Sequence, residues 1–108
     1  MKKTNISIEV ELDENHIPEK LFWNAKDNGE EKNEVKATMI SLWDEKARET
    51  LRIDLWTKDM QINHMKMFYH QILSSLADTY ERATNEEDVA VWLRGIAEEF
   101  TYKAGLRE

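Results

Sequence analysis

The stretch that most constrains the fold is KATMISLWDEKARETLRIDLWTKDM, Lys36 to Met60, which reads as two strands joined by a reversal and running out toward a helix. Folded about Lys46-Ala47, it pairs residues whose numbers add to 93. Leu42 then opposes Leu51, Ile40 opposes Ile53 and Thr38 opposes Leu55. These six share one face, because successive strand side chains alternate sides. The other face pairs Trp43 with Thr50, Ser41 with Arg52, Met39 with Asp54 and Ala37 with Trp56. The first face reads as a core wall. The second mixes large apolar groups with charge, which a purely solvated face does not need. A slip of one residue would invert the two faces. The stated register is preferred because it gathers leucine and β-branched residues on both strands at once. Asp44 to Glu49 is polar but lacks an Asn-Gly or Asp-Gly pair, so a four-residue loop fits as well as a two-residue one.

Upstream, residues 5–12 alternate, with Ile6, Ile8, Val10 and Leu12 on one side and Ser7, Glu9 and Glu11 on the other, as a half-buried strand does. Pro18 restricts Ile17 to extended geometry at the exit of the following loop. Residues 20–25 form a second strand. Pairing Leu12 with Leu21, Val10 with Trp23 and Ile8 with Ala25 keeps one apolar face and sets Phe22 beside Glu11 on the other. KDNGEEKNE, Lys26 to Glu34, reads as a solvated loop carrying the Asn28-Gly29 turn signal; its acids follow no calcium-loop spacing.

Downstream, the apolar period changes from two to about 3.6. Met65, Phe68, Tyr69, Ile72, Leu73, Leu76, Ala77 and Tyr80 make one broad stripe, with Asp59 or Asn63 able to cap its start. Asn85 begins a second helix, Asp88 completing a partial capping box. Val89, Trp92, Leu93, Ile96, Ala97 and Phe100 line its buried side, and Gly105 is a plausible stop. The prediction is a single α+β domain over residues 1–108. It is a two-layer fold, with a four-stranded antiparallel sheet of two hairpins (strands near 5–12, 20–25, 35–44 and 50–57). Two C-terminal helices, near 62–83 and 86–104, cover one sheet face.

Composition removes many functions. At 108 residues with 41% hydrophobic and 34% charged content, the chain is globular and long enough to stand alone. A net charge of −7 without a basic stripe argues against nucleic acid and against an anionic membrane surface. The absence of cysteine excludes disulfides, thiolate metal sites and a cysteine nucleophile. MKKTNISIEVEL carries lysines but no apolar h-region, so it reads as a strand and not a signal peptide, and the cytoplasm is the expected compartment. No segment is long enough to insert in a bilayer.

Chemistry is hard to find. His64 and His70 are six residues apart on a helix, about 240° around its axis, and cannot share a metal; His16 has only carboxylates near it in sequence. Glu9, Glu11 and Asp54 lie on an open sheet face without a cleft, where Arg52 pairs with Asp54. Ser74-Ser75 has no nucleophile-elbow context, and the three glycines are scattered singly. No enzyme signature and no cofactor site emerge. What remains is the outward sheet face, where Phe22, Met39, Trp43, Arg52, Asp54 and Trp56 are residue types suited to a protein interface. Cross-strand stacking of Trp43 on Trp56 is the competing explanation of that face. A second functional reading is a small-ligand module, with an apolar pocket between sheet and helices lined by Trp23, Met65, Tyr69 and Trp92.

IEVELDENHIPEKLFWNAKDNGEE, ISLWDEKARETLRIDLWTKDM and MKMFYHQILSSLADTYERAT together resemble the gliding-motility GldC family of the Bacteroidota. The resemblance runs from about Ile6 to Thr84. LRIDLWTKDM, Leu51 to Met60, is its most specific piece, and the last helix is similar only in kind. The family commonly has proline where Gln61 stands and acids where Asn63 and His64 stand. The resemblance implies a small soluble accessory protein without a signal peptide, not an enzyme, that supports the gliding machinery by stabilising a partner lipoprotein. A cytoplasmic protein does not directly reach a mature lipoprotein in another compartment, so the resemblance implies support that acts on the precursor or indirectly. A second copy of the chain, held through the sheet face, is the other partner in view. The family has no catalytic or cofactor residue to carry over.

Overall fold

A computed structural model describes residues 1–107. In place of one four-stranded sheet there are two sheets, and the chain divides into two compact units, Met1–Met60 and Gln61–Glu108, each described by itself.

The first unit holds five strands in two antiparallel sheets: β1 (Ser7–Leu12), β2 (Pro18–Ala25) and β3 (Glu30–Val35) in the order β1-β2-β3, and β4 (Ala37–Asp44) with β5 (Glu49–Trp56) as a two-stranded ribbon. The strand the sequence hides is β3. Its residues, EEKNEV, show no apolar alternation, so they read as a loop. It is held by backbone bonding along the edge of β2, with Leu21 opposite Val35, Phe22 opposite Glu34 and Trp23 opposite Asn33. The Asn28-Gly29 signal marks the hairpin between them, where Gly29 takes φ 77° and its N–H donates to the Lys26 carbonyl at 3.0 Å. The ladder slips between Trp23 and Ala25, and Lys32 adopts φ 50° there. Buried Asn24 repairs the break: its Oδ1 accepts the Lys32 N–H at 2.8 Å, and its Nδ2 donates to Glu9 Oε1 at 3.4 Å.

β1 pairs with β2 two residues away from the expected register, Val10 facing Leu21, Ile8 facing Trp23 and Glu9 facing Phe22. A shift of two preserves which face each side chain occupies, so hydrophobic pattern alone does not choose between the registers. The loop chooses. Asp13 Oδ1 accepts the N–H groups of Asn15 at 2.8 Å and Ile17 at 3.1 Å, while the Asp13 N–H donates to the Ile17 carbonyl at 2.9 Å. His16, at φ 63°, turns the chain within that loop.

A single bent residue, Lys36, separates β3 from β4. Its carbonyl accepts the N–H of buried Thr57 at 2.8 Å, and the next N–H, of Lys58, donates to the Pro18 carbonyl at 3.1 Å. Those two bonds tie the end of the ribbon back to the first sheet. The ribbon has the register expected from the sequence, from Ala37 opposite Trp56 to Asp44 opposite Glu49. Its reversal is the four-residue loop Glu45–Arg48, set by Asp44 Oδ1 accepting from Lys46 and Ala47 and by Arg48 at φ 53°. The expected core wall is not sealed: Leu42, Leu51 and Ile53 are each about half exposed. In a two-stranded ribbon each side chain has one cross-strand neighbour and little above it. Burial in this unit centres instead on Leu21, Asn24, Ala25 and Thr57.

The second unit is a hairpin of α1 (Ile62–Thr84) and α2 (Glu87–Lys103). The helices meet through small residues, Ala77, Ala90 and Ala97, all buried. Arg94 reaches across to Asp78 at 2.9 Å and Glu81 at 2.7 Å, and Lys66 Nζ donates to the Ala104 carbonyl at 2.7 Å, which fixes an antiparallel arrangement. Neither helix start is capped as the sequence suggests. Gln61 and Glu86 stand at the caps without side-chain capping bonds. Asp59 accepts from Thr57 Oγ1 at 2.6 Å instead, and Asn85 closes α1 in the left-handed region at φ 60°. Thr84 Oγ1 receives the Glu86 N–H at 3.1 Å. Gly105 ends α2 as expected, with φ 79° and the Leu106 N–H donating back to the Thr101 carbonyl at 2.8 Å.

Candidate interaction surface

The observed register places Met39, Trp43, Arg52, Asp54 and Trp56 on one face of the β4–β5 ribbon. Trp43 is 62% exposed and Trp56 54% exposed. They do not stack. Trp43 faces Thr50 and Trp56 faces Ala37, so the indoles stand six residues apart along β4, about 20 Å at strand rise. Between them Arg52 Nη2 donates to Asp54 Oδ1 at 3.1 Å and lies 3.9 Å from Met39 Sδ. The guanidinium and carboxylate neutralise each other within the face, leaving two open aromatic surfaces around a paired charge. Arg and Trp are residue types enriched at interface centres, and both indoles here are more than half exposed.

Phe22 belongs elsewhere. It sits in β2 of the three-stranded sheet, between Glu9 and Glu34, with Lys32 Nζ 5.4 Å from its ring centroid. That cation–π contact gives the ring an intramolecular partner. The residues expected to line an apolar pocket are divided, Trp23 in the first unit and Met65, Tyr69 and Trp92 in the second. Among the described residues, no group of three or more His, Asp or Glu could hold a metal ion, and no helix is long and apolar enough to cross a membrane.

The ribbon is anchored by ion pairs that sequence reading did not find. Lys58 Nζ pairs with Asp13 at 3.0 Å and Glu19 at 3.7 Å, and Lys36 Nζ pairs with Asp59 at 3.0 Å and Glu34 at 3.3 Å. No local spacing signals pairs such as Lys58–Asp13, because topology brings them together. The Ile17 N–H, then the Lys58 ammonium, hold the Asp13 carboxyl below its ordinary 3.8. The Thr57 hydroxyl, then Lys36, lower Asp59 likewise. A carboxyl with a depressed folded pKa stabilises fully above its unfolded value, and that contribution is lost as pH falls through the folded one. Asp13→Asn should therefore melt below the unmodified protein at neutral pH. The gap should close on acidification below 3.8. Thermal melts from about pH 7 down to about pH 3 check this, and a gap that stays constant with pH would refute it.

The family model described as gliding motility-associated protein GldC-like matches residues 18–106. The match begins at β2, leaving β1 outside it, and runs through the whole of α2, beyond the Thr84 limit of the resemblance legible in the sequence. Comparison with curated proteins and with solved structures returned no match. With most of its length matched, the chain belongs to the GldC-like family.

Proposed function

We propose that this chain is a non-enzymatic accessory protein of the gliding-motility machinery that acts in the cytoplasm and stabilises a partner protein of that system. The contact surface is the ribbon face bearing Met39, Trp43, Arg52, Asp54 and Trp56. The link to gliding rests on the family's description. The observation that carries the binding role is the pair of indoles, each more than half exposed, flanking an internally neutralised Arg52–Asp54 pair. A partner gains by covering indoles of roughly 150–250 Å² each, at about 25 cal/mol per Å², without having to desolvate an unpaired charge. A lipoprotein precursor of the gliding system is the partner that fits a cytoplasmic protein of this family.

The test is affinity purification from a native lysate of a gliding bacterium, using tagged protein beside the Trp43→Glu/Trp56→Glu double variant. Both positions are exposed, so the variant should melt within a few degrees of the unmodified chain while losing a gliding-system protein that the latter retains. Identical recovery by both baits would exclude this face. A variant that no longer folds would show the indoles to be structural.

A further inference from the structure

We propose that the helical hairpin pairs with the hairpin of a second copy, apolar face on apolar face, to form a four-helix homodimer. At about 100° per residue, Tyr69, Ile72 and Leu76 lie roughly 80–140° to one side of the direction in which Ala77 meets α2. On α2, Val89, Ile96 and Phe100 are offset from Ala90 by about 80–120° in the same rotational sense. The helices run antiparallel, so equal offsets in the same sense bring both stripes to one side of the hairpin. The result is one continuous apolar face two helices wide. It is open along α1, where Leu76 is 53% and Tyr69 44% exposed, while Ile72, Val89, Ile96 and Phe100 are half-buried.

Two features select a second copy as the occupant. The first is area. Seventeen residues of α2 span about 26 Å, and two helices packed 8–10 Å apart present a face about 20 Å wide. That gives a footprint of about 500 Å² per copy and about 1,000 Å² for a pair, the lower bound for a specific interface and the size of a weak, reversible one. The second is charge. A chain of net charge −7 repels its own copies over most of its surface. By the same helical arithmetic Asp78, Glu81, Glu87 and Glu98 lie roughly 40–100° to the other side, and Asp88 and Glu99 face away from the partner helix. On the apolar side the Lys66 ammonium already caps the Ala104 carbonyl, Glu86 is engaged by the Tyr80 hydroxyl, and Lys103, about 140° from Ala90 in the same sense, pairs with Glu99 at 3.6 Å. Two copies can therefore meet here with the charged groups of this side already engaged within each chain. A face-to-face four-helix arrangement buries both stripes at once.

Light scattering after size-exclusion chromatography of the full chain decides the matter. The protein at about 100 µM should show twice the 12.8 kDa mass of one chain and dissociate on dilution. Tyr69→Glu/Leu76→Glu should weaken association by at least about 100-fold and run as single chains, with the far-ultraviolet helical signal at 25 °C retained. If that pair loses its helical signal, Leu76→Ala, which preserves helix propensity, should still weaken the dimer about tenfold. Val91→Glu, an exposed position on the charged side, should leave it intact. A single-chain mass for the unmodified protein, or a dimer that survives both face variants, overturns the proposal. Because the ribbon takes no part, the Trp43→Glu/Trp56→Glu chain should remain dimeric, so this outcome is independent of the proposed partner contact.

Discussion

Leu21→Ala should destabilise the β unit by about 2–5 kcal/mol, the cost of a cavity under a fully buried leucine, and so take away a large share of its stability. Leu21 has no exposed surface and lies in the central strand of the three-stranded sheet, facing Val10 on β1 and Val35 on β3. Urea titration followed by tryptophan fluorescence reports it directly, since Trp23 lies two residues along the same strand. The same substitution at Leu42 should cost less than about 1 kcal/mol, because that side chain is already half in water. Equal losses at the two positions would mean that the ribbon is buried as deeply as the sheet, contrary to the structure.

The second large effect is expected from overfilling rather than emptying. Ala77→Leu should cost about 1–3 kcal/mol. Ala77 is fully buried where α1 meets α2, with Ala90 and Ala97 similarly enclosed on the facing helix. Three more carbon atoms there push the axes apart and pull Arg94 away from Asp78 and Glu81. Ser75→Leu, on an exposed position of the same helix away from both α2 and the apolar stripe, is the control and should change stability by less than about 0.5 kcal/mol. Melting followed by circular dichroism at the helical band separates the two. Matching melting temperatures would show that the helices are not in close contact at Ala77.

Much of the local structure was legible in the residue pattern. Alternation over Thr38–Leu42 and Leu51–Leu55 identifies both ribbon strands and the face of each side chain, and a reversal centred on Lys46-Ala47 completes their register. The 3.6-residue period identifies both helices, and Gly105 its terminus. The composition of the candidate face was legible too, since register assigns Met39, Trp43, Arg52, Asp54 and Trp56 to one side. Phe22 does not share their ribbon. Alternation tells which side of its own strand a residue takes, not which sheet that strand joins, and Phe22 lies in the other one.

What the sequence by itself determined, then, is the set of elements carried by short-range periodicity, their cross-strand partners in the ribbon, and the chemical character of each face. Tertiary structure alone decided three things. It made a strand of Glu30–Val35, because edge pairing needs backbone groups and no apolar pattern. It fixed the β1–β2 register through the Asp13 loop, because a two-residue shift leaves every side chain on its original face. And it left Leu42, Leu51 and Ile53 half exposed while burying Leu21 and Ala77, because periodicity records which way a side chain points and carries no information on what, if anything, is packed against it.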